Sequence, residues 1–357
     1  MDSSRMQFGL FLTNGVSDGI DDAAALQLSL DSAQLAESLG YEHLWVAEHH
    51  FMDASVCSSA LTLAAFLLGR TERIRVGTAV VLAPLVHPIT LSEQVAILDQ
   101  VSGGRLDLGL GRGGYSLDYE VFAVPTERWT EGVEPSVAAV VDALSNTTVS
   151  CENSLFPYES VSVRPRPPTQ PHPPVYVATG TAEAVEVAAR LRLPLQFYFY
   201  ADTESRVQTI QQYRGFAEAH GWDGEVDHLH VVPCLVDDDE TSARECMLAG
   251  MTAWLSSGNH PRLNDPELDL ETRARQIKDF APQVIDQSPI GPPDLVIEWL
   301  EAFHKATGAR NIALHMELLG DPDGTLRSIR RFASDVAPHL RISGRRDRPI
   351  EDTTHRF

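Results

Sequence analysis

Eight short segments rich in β-branched and aromatic residues recur along the chain, and longer segments with helical spacing of apolar residues separate them. The eight predicted strands are 6–12, 43–47, 73–82, 105–111, 174–180, 193–200, 228–236 and 311–318. A regular alternation of strand and helix favours a parallel sheet, and eight such units favour a closed (β/α)8 TIM barrel over an open sheet. We therefore predict one barrel domain over residues 1–345.

Two segments interrupt the alternation and are predicted to be insertions. Residues 146–174 contain the proline-rich run RPRPPTQPHPP, and residues 256–293 are polar and punctuated by proline. Residues 346–357 follow the last predicted helix and are expected to form a flexible tail. Helices are predicted at 21–39 and 59–68, each ended by a glycine, at Gly40 and Gly69, that can adopt the left-handed conformation.

The competing architecture is a doubly wound dinucleotide-binding sheet, suggested by the glycine-rich sequence GLGRGG at 109–114. That fingerprint requires a helix directly after the glycines and an acidic residue at the end of the next strand. Here a Tyr-Ser-Leu-Asp loop follows instead, inside an established β/α series. The pattern favours the barrel.

Charge and composition exclude several classes of protein. Fifty acidic against 28 basic residues give a formal charge of −22, which disfavours nucleic acid and anionic membrane surfaces as partners. The start of the chain lacks the pattern of a signal peptide, and no apolar run approaches the roughly 18 residues of a membrane span. We expect a cytoplasmic protein whose four separated cysteines are reduced thiols.

Functional residues of a β/α barrel lie at the carboxyl ends of its strands. The fourth strand ends in Gly111 and Arg112, where a guanidinium among glycines suits an anion such as phosphate. The fifth ends in Thr179, Gly180 and Thr181 before a helical segment, which offers hydroxyls and free N–H groups at a helix N-terminus. The alternative is that Thr181 only caps its helix and Arg112 pairs with a carboxylate.

The second strand ends in Glu48, His49 and His50, and adjacent residues on an extended strand point to opposite sides. One imidazole can therefore face a pocket and transfer protons or hydrogen-bond a ligand oxygen, while Glu48 orients one of the pair. Two structural histidines are the alternative. His228 and His230 add imidazoles, but no set of three or four ligands points to a metal.

Nucleophilic hydrolysis has no support, because the chain contains no G-x-S-x-G motif. The aromatic run 197–200, with Tyr198 and Tyr200, either floors a substrate pocket or is plain core. Trp45 is predicted to be a core residue.

Five segments together resemble the bacterial luciferase family of flavin-dependent monooxygenases. They are FGLFL near the start, LGYEHLWVAEHHF at 39–51, RIRVGTAVVLAPLVHP at 73–88, EQVAILDQVSGGRLDLGLGRG at 93–113 and PVYVATGTAEAVEVAARLRLP at 174–194. The similarity continues to SPIGPPDLV at 288–296 and FASDVAPHL at 332–340, and so spans almost the whole chain.

The resemblance implies a two-component monooxygenase that takes FMNH2 from a separate flavin reductase. It traps O2 as a flavin 4a-hydroperoxide and oxygenates a small organic substrate, with a possible place in secondary-metabolite biosynthesis. The family's catalytic imidazole corresponds to His49, with His50 beside it. The segment that forms a cis peptide under the flavin corresponds to Thr78, Ala79 and Val80.

In the same resemblance Arg112 meets the FMN phosphate, joined by Gly180 and Thr181. Glu93, Tyr115 and Asp118 occupy further pocket positions. A homodimer formed through helices on one side of the barrel is expected.

Three departures qualify the resemblance. Gly111 replaces a reactive cysteine, which predicts a roomier pocket and a bulkier substrate. The turn at 179–181 lacks the acidic and serine pair of luciferase, and the lid segment before the last β/α unit is shorter. Two other functions remain open on the same fold: oxidoreduction with a deazaflavin coenzyme, and flavin binding without turnover, against which His49 argues.

Overall fold

The protein is described by a computed structural model that covers residues 5–16, 20–256, 270–317 and 321–340. The strands within these ranges are β1 (Gln7–Leu12), β2 (His43–Val46), β3 (Arg75–Thr78), β4 (Val81–Leu82), β5 (Leu106–Gly111), β6 (Thr148–Cys151), β7 (Tyr158–Ser162), β8 (Val175–Ala178), β9 (Leu195–Phe197), β10 (Leu229–Pro233), β11 (Leu235–Val236), β12 (Ile290–Gly291) and β13 (Asn311–His315).

The helices that alternate with the strands are α1 (Asp22–Leu39), α2 (Ala60–Arg70), α3 (Pro88–Ser102), α4 (Ser116–Val121), α5 (Glu127–Glu131), α6 (Val133–Ser145), α7 (Ala182–Arg190), α8 (Thr203–Ala219), α9 (Glu240–Ser256), α10 (Leu270–Asp286), α11 (Pro293–Thr307) and α12 (Pro322–Arg331).

Parallel pairing closes the sheet on itself. The strands β1, β2, β3, β5, β8, β9, β10 and β13 pair in this order, and β13 returns to β1 in register from Gln7 opposite Asn311 to Leu10 opposite Leu314. The predicted (β/α)8 barrel is confirmed, and the open dinucleotide-binding sheet is excluded because β1 and β13 bond to each other.

Two of the predicted strands are each divided into two. The segment 73–82 consists of β3 and β4, which are separated by a cis peptide bond between Ala79 and Val80. The segment 228–236 consists of β10, within the barrel, and β11, which leaves it to pair in parallel with β12. Both interruptions occur where the strands approach the carboxyl-terminal face of the barrel.

The barrel interior is filled by large side chains that lie opposite glycines. A Cβ atom on Gly77 would lie 2.4 Å from the ring of Trp45, and one on Gly9 would lie 1.9 Å from the imidazole of His43. Trp45 is 1% exposed and donates its indole N–H to His43 Nδ1 at 2.8 Å. Trp45 is thus a core residue, as predicted, and its ring occupies the room that Gly77 leaves.

Two apolar cores sit on the two sides of the strands. A larger one fills the space between the strands and the surrounding helices and includes Leu44, Val76 and Leu108. A second one lies inside the barrel and above it, where Phe11, Trp45 and Phe199 meet residues of α9 and α10. The inner core forms the base on which the candidate site is built.

The first two helices differ at their carboxyl ends. Asp21 caps α1 by accepting the Ala24 N–H at 2.9 Å, and Gly40 ends the helix in the left-handed conformation, as predicted. The predicted end at Gly69 is wrong, because α2 continues through Gly69 to Arg70. Its cap is Thr71, an extended residue whose hydroxyl donates to the Leu67 carbonyl at 2.8 Å, so no left-handed glycine is needed.

The first insertion carries the antiparallel hairpin of β6 and β7. It is tied to α6 by Arg166, whose guanidinium donates to the carbonyls of Ala143, Leu144 and Asn146 at the end of that helix. The second insertion contains α10 and β12. Part of the predicted lid segment, and the predicted tail at 346–357, lie outside the described residues. Among the described helices, none is both long and apolar enough to cross a bilayer.

Candidate active site

A cavity of about 380 Å³ opens at the carboxyl-terminal face of the barrel. Its lining comes from β1 and β8, from the segments after β1, β2, β3, β5, β8 and β9, and from the helices α6, α7 and α9. The lining residues are Phe11, Thr13, His49, Val80, Arg112, Gly113, Gly114, Val133, Ala178, Gly180, Thr181, Ala184, Tyr198, Phe199, Tyr200 and Trp254. Seven of the residues predicted from the sequence are therefore brought together around one opening.

His49 faces this cavity, and its Nδ1 lies 3.2 Å from the hydroxyl of Ser55. Burial, and secondarily the nearby charge of His50, lowers the pKa of His49 to about 4. The imidazole is consequently neutral near pH 7 and able to act as a hydrogen-bond acceptor or a base.

His50 is turned away from the cavity. Its Nε2 lies 3.7 Å from Glu48 Oε1, and its ring meets Phe122 edge to face at 4.9 Å. Glu48 also accepts the N–H groups of Ala60 and Leu82, at 2.9 and 3.2 Å, and so joins the start of α2 to β4. The two adjacent histidines thus have different surroundings, and His49 is the one that a ligand would contact.

Arg112 occupies the opposite part of the lining. Its guanidinium lies over the ring of Trp129, with Cζ 3.9 Å from the ring centroid. Tyr119 supports both residues, because its hydroxyl donates to the Arg112 carbonyl at 2.9 Å and its ring meets Trp129 at 5.2 Å. No carboxylate of the described residues forms an ion pair with Arg112, so its charge remains available to an anion.

The turn after β8 supplies a helix N-terminus to the same cavity. Thr181 caps α7 by accepting the Ala184 N–H at 3.1 Å, and Gly180 lies beside it with open space where a side chain would stand. Ala178 also lines the cavity, whereas Thr179 lines a separate, more polar pocket shared with Tyr198 and Tyr200. Thr179 therefore lies outside the cavity that Arg112 and Thr181 line.

The segment after β3 presents one of its three predicted residues. Val80 lines the cavity directly after the cis peptide, but Thr78 is fully buried, and its hydroxyl exchanges hydrogen bonds with the N–H and carbonyl of Gly109 at 2.9 Å. Ala79 packs against the inner core. Thr78 and Ala79 position this wall of the cavity without lining it.

Gly111 does not enlarge the cavity, contrary to the prediction. A Cβ atom at Gly111 would lie 2.7 Å from Val80 Cγ2 and 3.1 Å from the Cβ of Ala178. The valine fills the space that the glycine leaves, so the expected bulkier substrate loses its basis.

The three further pocket candidates lie outside the lining. Glu93 is on α3, and Tyr115 is buried with its hydroxyl 3.8 Å from the sulfur of Met52. Asp118 is 1% exposed, and its Oδ1 has no hydrogen-bond partner within the described chain. Burial raises the pKa of Asp118 to about 6, against a lowering by His50.

An aromatic wall closes the side of the cavity after β9. The rings of Phe199 and Tyr200 are 4.1 Å apart, and Trp254 of α9 lies 5.8 Å from Phe199. Tyr198 is 5.8 Å from Tyr200. Phe197 points the other way, into the outer core, where it stacks on His230. Three residues of the predicted aromatic run thus line the pocket, and the fourth is core.

A polar cluster beneath His49 was not predicted. Glu317 Oε2 accepts the N–H groups of Thr13 and Asn14, at 2.8 and 2.9 Å, and the Thr13 hydroxyl at 2.9 Å. His315 Nε2 lies 3.2 Å from that hydroxyl, and burial lowers the pKa of His315 to about 3. Burial also raises the pKa of Glu317.

The rule that functional residues lie at the carboxyl ends of the strands could have indicated part of this cluster. Thr13 directly follows β1, and His315 and Glu317 end the eighth predicted strand. Ser55, Trp129 and Trp254 do not directly follow a strand, so this rule gives no signal for them.

The remaining histidine pair does not suggest a metal site. His228 Nδ1 accepts the Leu195 N–H at 2.9 Å, and His230 stacks on Phe197 beside Arg206. Within the part of the chain that the structure describes, no group of three or more His, Cys, Asp or Glu residues is arranged to hold a metal ion.

The fold and the site together define a β/α-barrel enzyme whose pocket is lined by an arginine, a helix N-terminus and a neutral imidazole. A sequence model of the luciferase-like monooxygenase family matches residues 6–310. The chain belongs to this family and is an oxidoreductase of the monooxygenase class.

Among curated relatives, the alkanal monooxygenase alpha chain of Aliivibrio fischeri is 30% identical over 322 residues, which cover 85% of this chain and 90% of the relative. Among solved structures, monooxygenase RslO1 from Streptomyces bottropensis superposes with a TM-score of 0.81 at 25% identity, covering 94% of this chain and 99% of that one.

Two more distant solved structures share the fold but differ from each other in the coenzyme that they bind. The oxygenating constituent of 3,6-diketocamphane monooxygenase from Pseudomonas putida, in complex with FMN, has a TM-score of 0.72 at 18% identity, covering 95% of this chain and 100% of that one. An F420-dependent secondary alcohol dehydrogenase has a TM-score of 0.73 at 17% identity, covering 93% of this chain and 98% of that one.

Proposed function

We propose that the protein is a two-component FMN-dependent monooxygenase. It binds reduced FMN delivered by a separate reductase, uses O2 as co-substrate, and oxygenates a small, neutral organic substrate. The observation that carries the proposal is that one cavity is lined by an arginine without an ion pair among the described residues, by a helix N-terminus and by a neutral histidine.

The phosphate end of the cofactor is assigned to Arg112 and the start of α7. Arg112 forms no ion pair with a carboxylate of the described residues, and the N–H groups after Thr181 add the positive end of a helix dipole. Gly180 leaves open space at this point, so a phosphate oxygen can approach the backbone closely. These residues fit a phosphomonoester such as that of FMN.

The flavin ring is assigned to the wall formed by Val80, because this apolar side chain lines the same cavity as Arg112. Bound reduced FMN supplies the electrons that activate O2. His49 faces the same space as a neutral base, so it can accept and return a proton there. The surrounding apolar side chains exclude water from the reaction.

The substrate is assigned to the aromatic wall of Tyr198, Phe199, Tyr200 and Trp254. Apart from its tyrosines, the described lining contains two titratable residues, Arg112 and the neutral His49. With Arg112 engaged by phosphate, the rest of the pocket offers ring surfaces and hydroxyls. This environment favours a neutral, apolar substrate.

The helices α2 and α3 are proposed to form the interface of a homodimer. Phe66 on α2 and Ile97 and Val101 on α3 are large apolar residues that are 53%, 48% and 75% exposed. Exposed apolar side chains on neighbouring helices are typical of protein interfaces.

The deciding experiment is anaerobic loading with reduced FMN, followed by mixing with oxygenated buffer in a stopped-flow spectrophotometer. We expect oxidised FMN to reappear more slowly than from free flavin, after a transient species with its own absorbance spectrum. Reappearance at the rate of free flavin would contradict the oxygenase proposal, and binding of the deazaflavin coenzyme F420 would then be measured.

A further inference from the structure

We propose that Ser55 is a positioning residue that fixes the tautomer of His49, so that His49 presents a hydrogen-bond acceptor, Nε2, to the cavity. The proposal rests on the assignment of His49 to the active site, but its evidence is the hydrogen bonding of the protein alone. It concerns four groups: the His49 imidazole, the Ser55 hydroxyl, the Thr13 carbonyl and the carboxylate of Glu317.

The single proton of the Ser55 hydroxyl is committed to Thr13. The Ser55 Oγ lies 2.6 Å from the Thr13 carbonyl oxygen. Two oxygens at this distance attract each other only with a proton between them, and the carbonyl has none to give. Ser55 must therefore be the donor in this bond.

His49 Nδ1 must then be protonated. It lies 3.2 Å from the same Ser55 Oγ, which has only lone pairs left to offer. A neutral imidazole carries one proton, so when Nδ1 donates, Nε2 is a bare acceptor. Because burial keeps His49 neutral near pH 7, the doubly protonated ring, in which Nε2 would also carry a proton, is excluded.

The Thr13 carbonyl, which accepts the Ser55 proton, belongs to a residue that is itself held by hydrogen bonds. Thr13 follows β1, and its N–H and hydroxyl both donate to Glu317 Oε2, at 2.8 and 2.9 Å. Ser55 is 4% exposed, so its hydroxyl is largely shielded from bulk water. The other titratable groups near His49 are His50 and His315, whose charges would oppose protonation of His49, and Glu48 beside His50.

The tautomer decides what His49 can do first. With Nε2 unprotonated, His49 accepts a proton or a hydrogen bond from a group in the cavity before it can donate one. Without the acceptor at Nδ1, the ring is free to carry its proton on Nε2 and to present a donor instead.

Nitrogen NMR of the flavin-free protein, labelled with [15N]histidine, tests this directly, because the two nitrogens of a neutral imidazole have distinct shifts in each tautomer. The His49 resonances are identified by their loss in His49→Gln. We expect the Nδ1–H form in the wild type. An Nε2–H form in the wild type would overturn the proposal without the need for a Ser55 variant.

Ser55→Ala is expected to move His49 to a population dominated by Nε2–H, and Ser55→Thr, which keeps the hydroxyl, to restore Nδ1–H. Ser92→Ala is the matched control, since it also removes a buried hydroxyl that donates to a carbonyl, that of Pro88 at 2.8 Å, but lies on α3 away from the cavity. An unchanged His49 tautomer in a folded Ser55→Ala protein would show that Ser55 does not set it.

The same variants separate this proposal from the proposed function. Affinity for FMN depends on Arg112 and α7 and should be unchanged in Ser55→Ala. If FMN fails to bind even to the wild type while the tautomer behaves as expected, the cofactor assignment is wrong and the role of Ser55 stands.

Discussion

Replacement of Trp129 by alanine is expected to weaken binding of FMN but not of riboflavin. Trp129 does not line the cavity, and its connection to the proposed phosphate site is the stacking of Arg112 on its ring at 3.9 Å. The guanidinium of Arg112 is partly removed from water, and this burial lowers the pKa of Arg112. Without the ring, Arg112 can leave the geometry that faces α7.

The magnitude follows from the strength of cation–π contacts. An exposed contact contributes about 0.5–1 kcal/mol and a desolvated one about 2 kcal/mol. Arg112 lies between these limits, so a loss of about 1 kcal/mol is expected, equal to roughly a fivefold rise in the Kd for FMN. Direct removal in Arg112→Ala should cost about 1.5–3 kcal/mol, roughly tenfold to a hundredfold.

The assay is fluorescence titration of oxidised FMN and of riboflavin, which lacks the phosphate, against the same variants. Trp129→Phe keeps an aromatic face and should recover most of the affinity. Trp222→Ala is the matched control, because Arg192 lies 5.6 Å above that ring, far from the cavity. Equal weakening of FMN and riboflavin, or an unchanged Kd for FMN, would refute the argument that Trp129 acts through a phosphate-binding arginine.

Two further predictions concern stability. Gly111→Ala should destabilise the protein by about 1–3 kcal/mol, because the new Cβ would lie 2.7 Å from Val80 Cγ2. Denaturant unfolding should show that the double variant Gly111→Ala/Val80→Ala recovers much of this loss. Additive losses from the two substitutions would contradict the contact. The second concerns His228, whose pKa burial lowers from 6.5 to about 3. The imidazole of His228 therefore gains a proton below about pH 6.5 in the unfolded chain but stays neutral in the folded protein, so the free energy of unfolding falls as the pH falls. Between pH 7.5 and 5.5 this loss should be about 1.4 kcal/mol smaller in His228→Gln than in the wild type. Equal losses would contradict the shifted pKa.

The sequence determined the architecture because strand and helix leave periodic signals that are local. All eight barrel strands lie within the predicted segments, and Gly40 by itself predicted the carboxyl end of α1. The rule that parallel strands direct their carboxyl ends to one face also indicated His49, Arg112 and Gly180 as neighbours. The end of α2 was missed at Gly69, since a glycine can also remain within a helix when another residue supplies the cap.

The tertiary structure alone decided how the residues around His49 and Arg112 are arranged. Spacing in the chain could not show that Val80 fills the space above Gly111, that His50 turns to Glu48, or that Trp129 supports Arg112. Nor could it reveal that Ser55 links His49 to the carbonyl of Thr13, which lies 42 residues before Ser55. These contacts join residues from different loops, and their distances depend on the packing of the whole barrel, which no local pattern encodes.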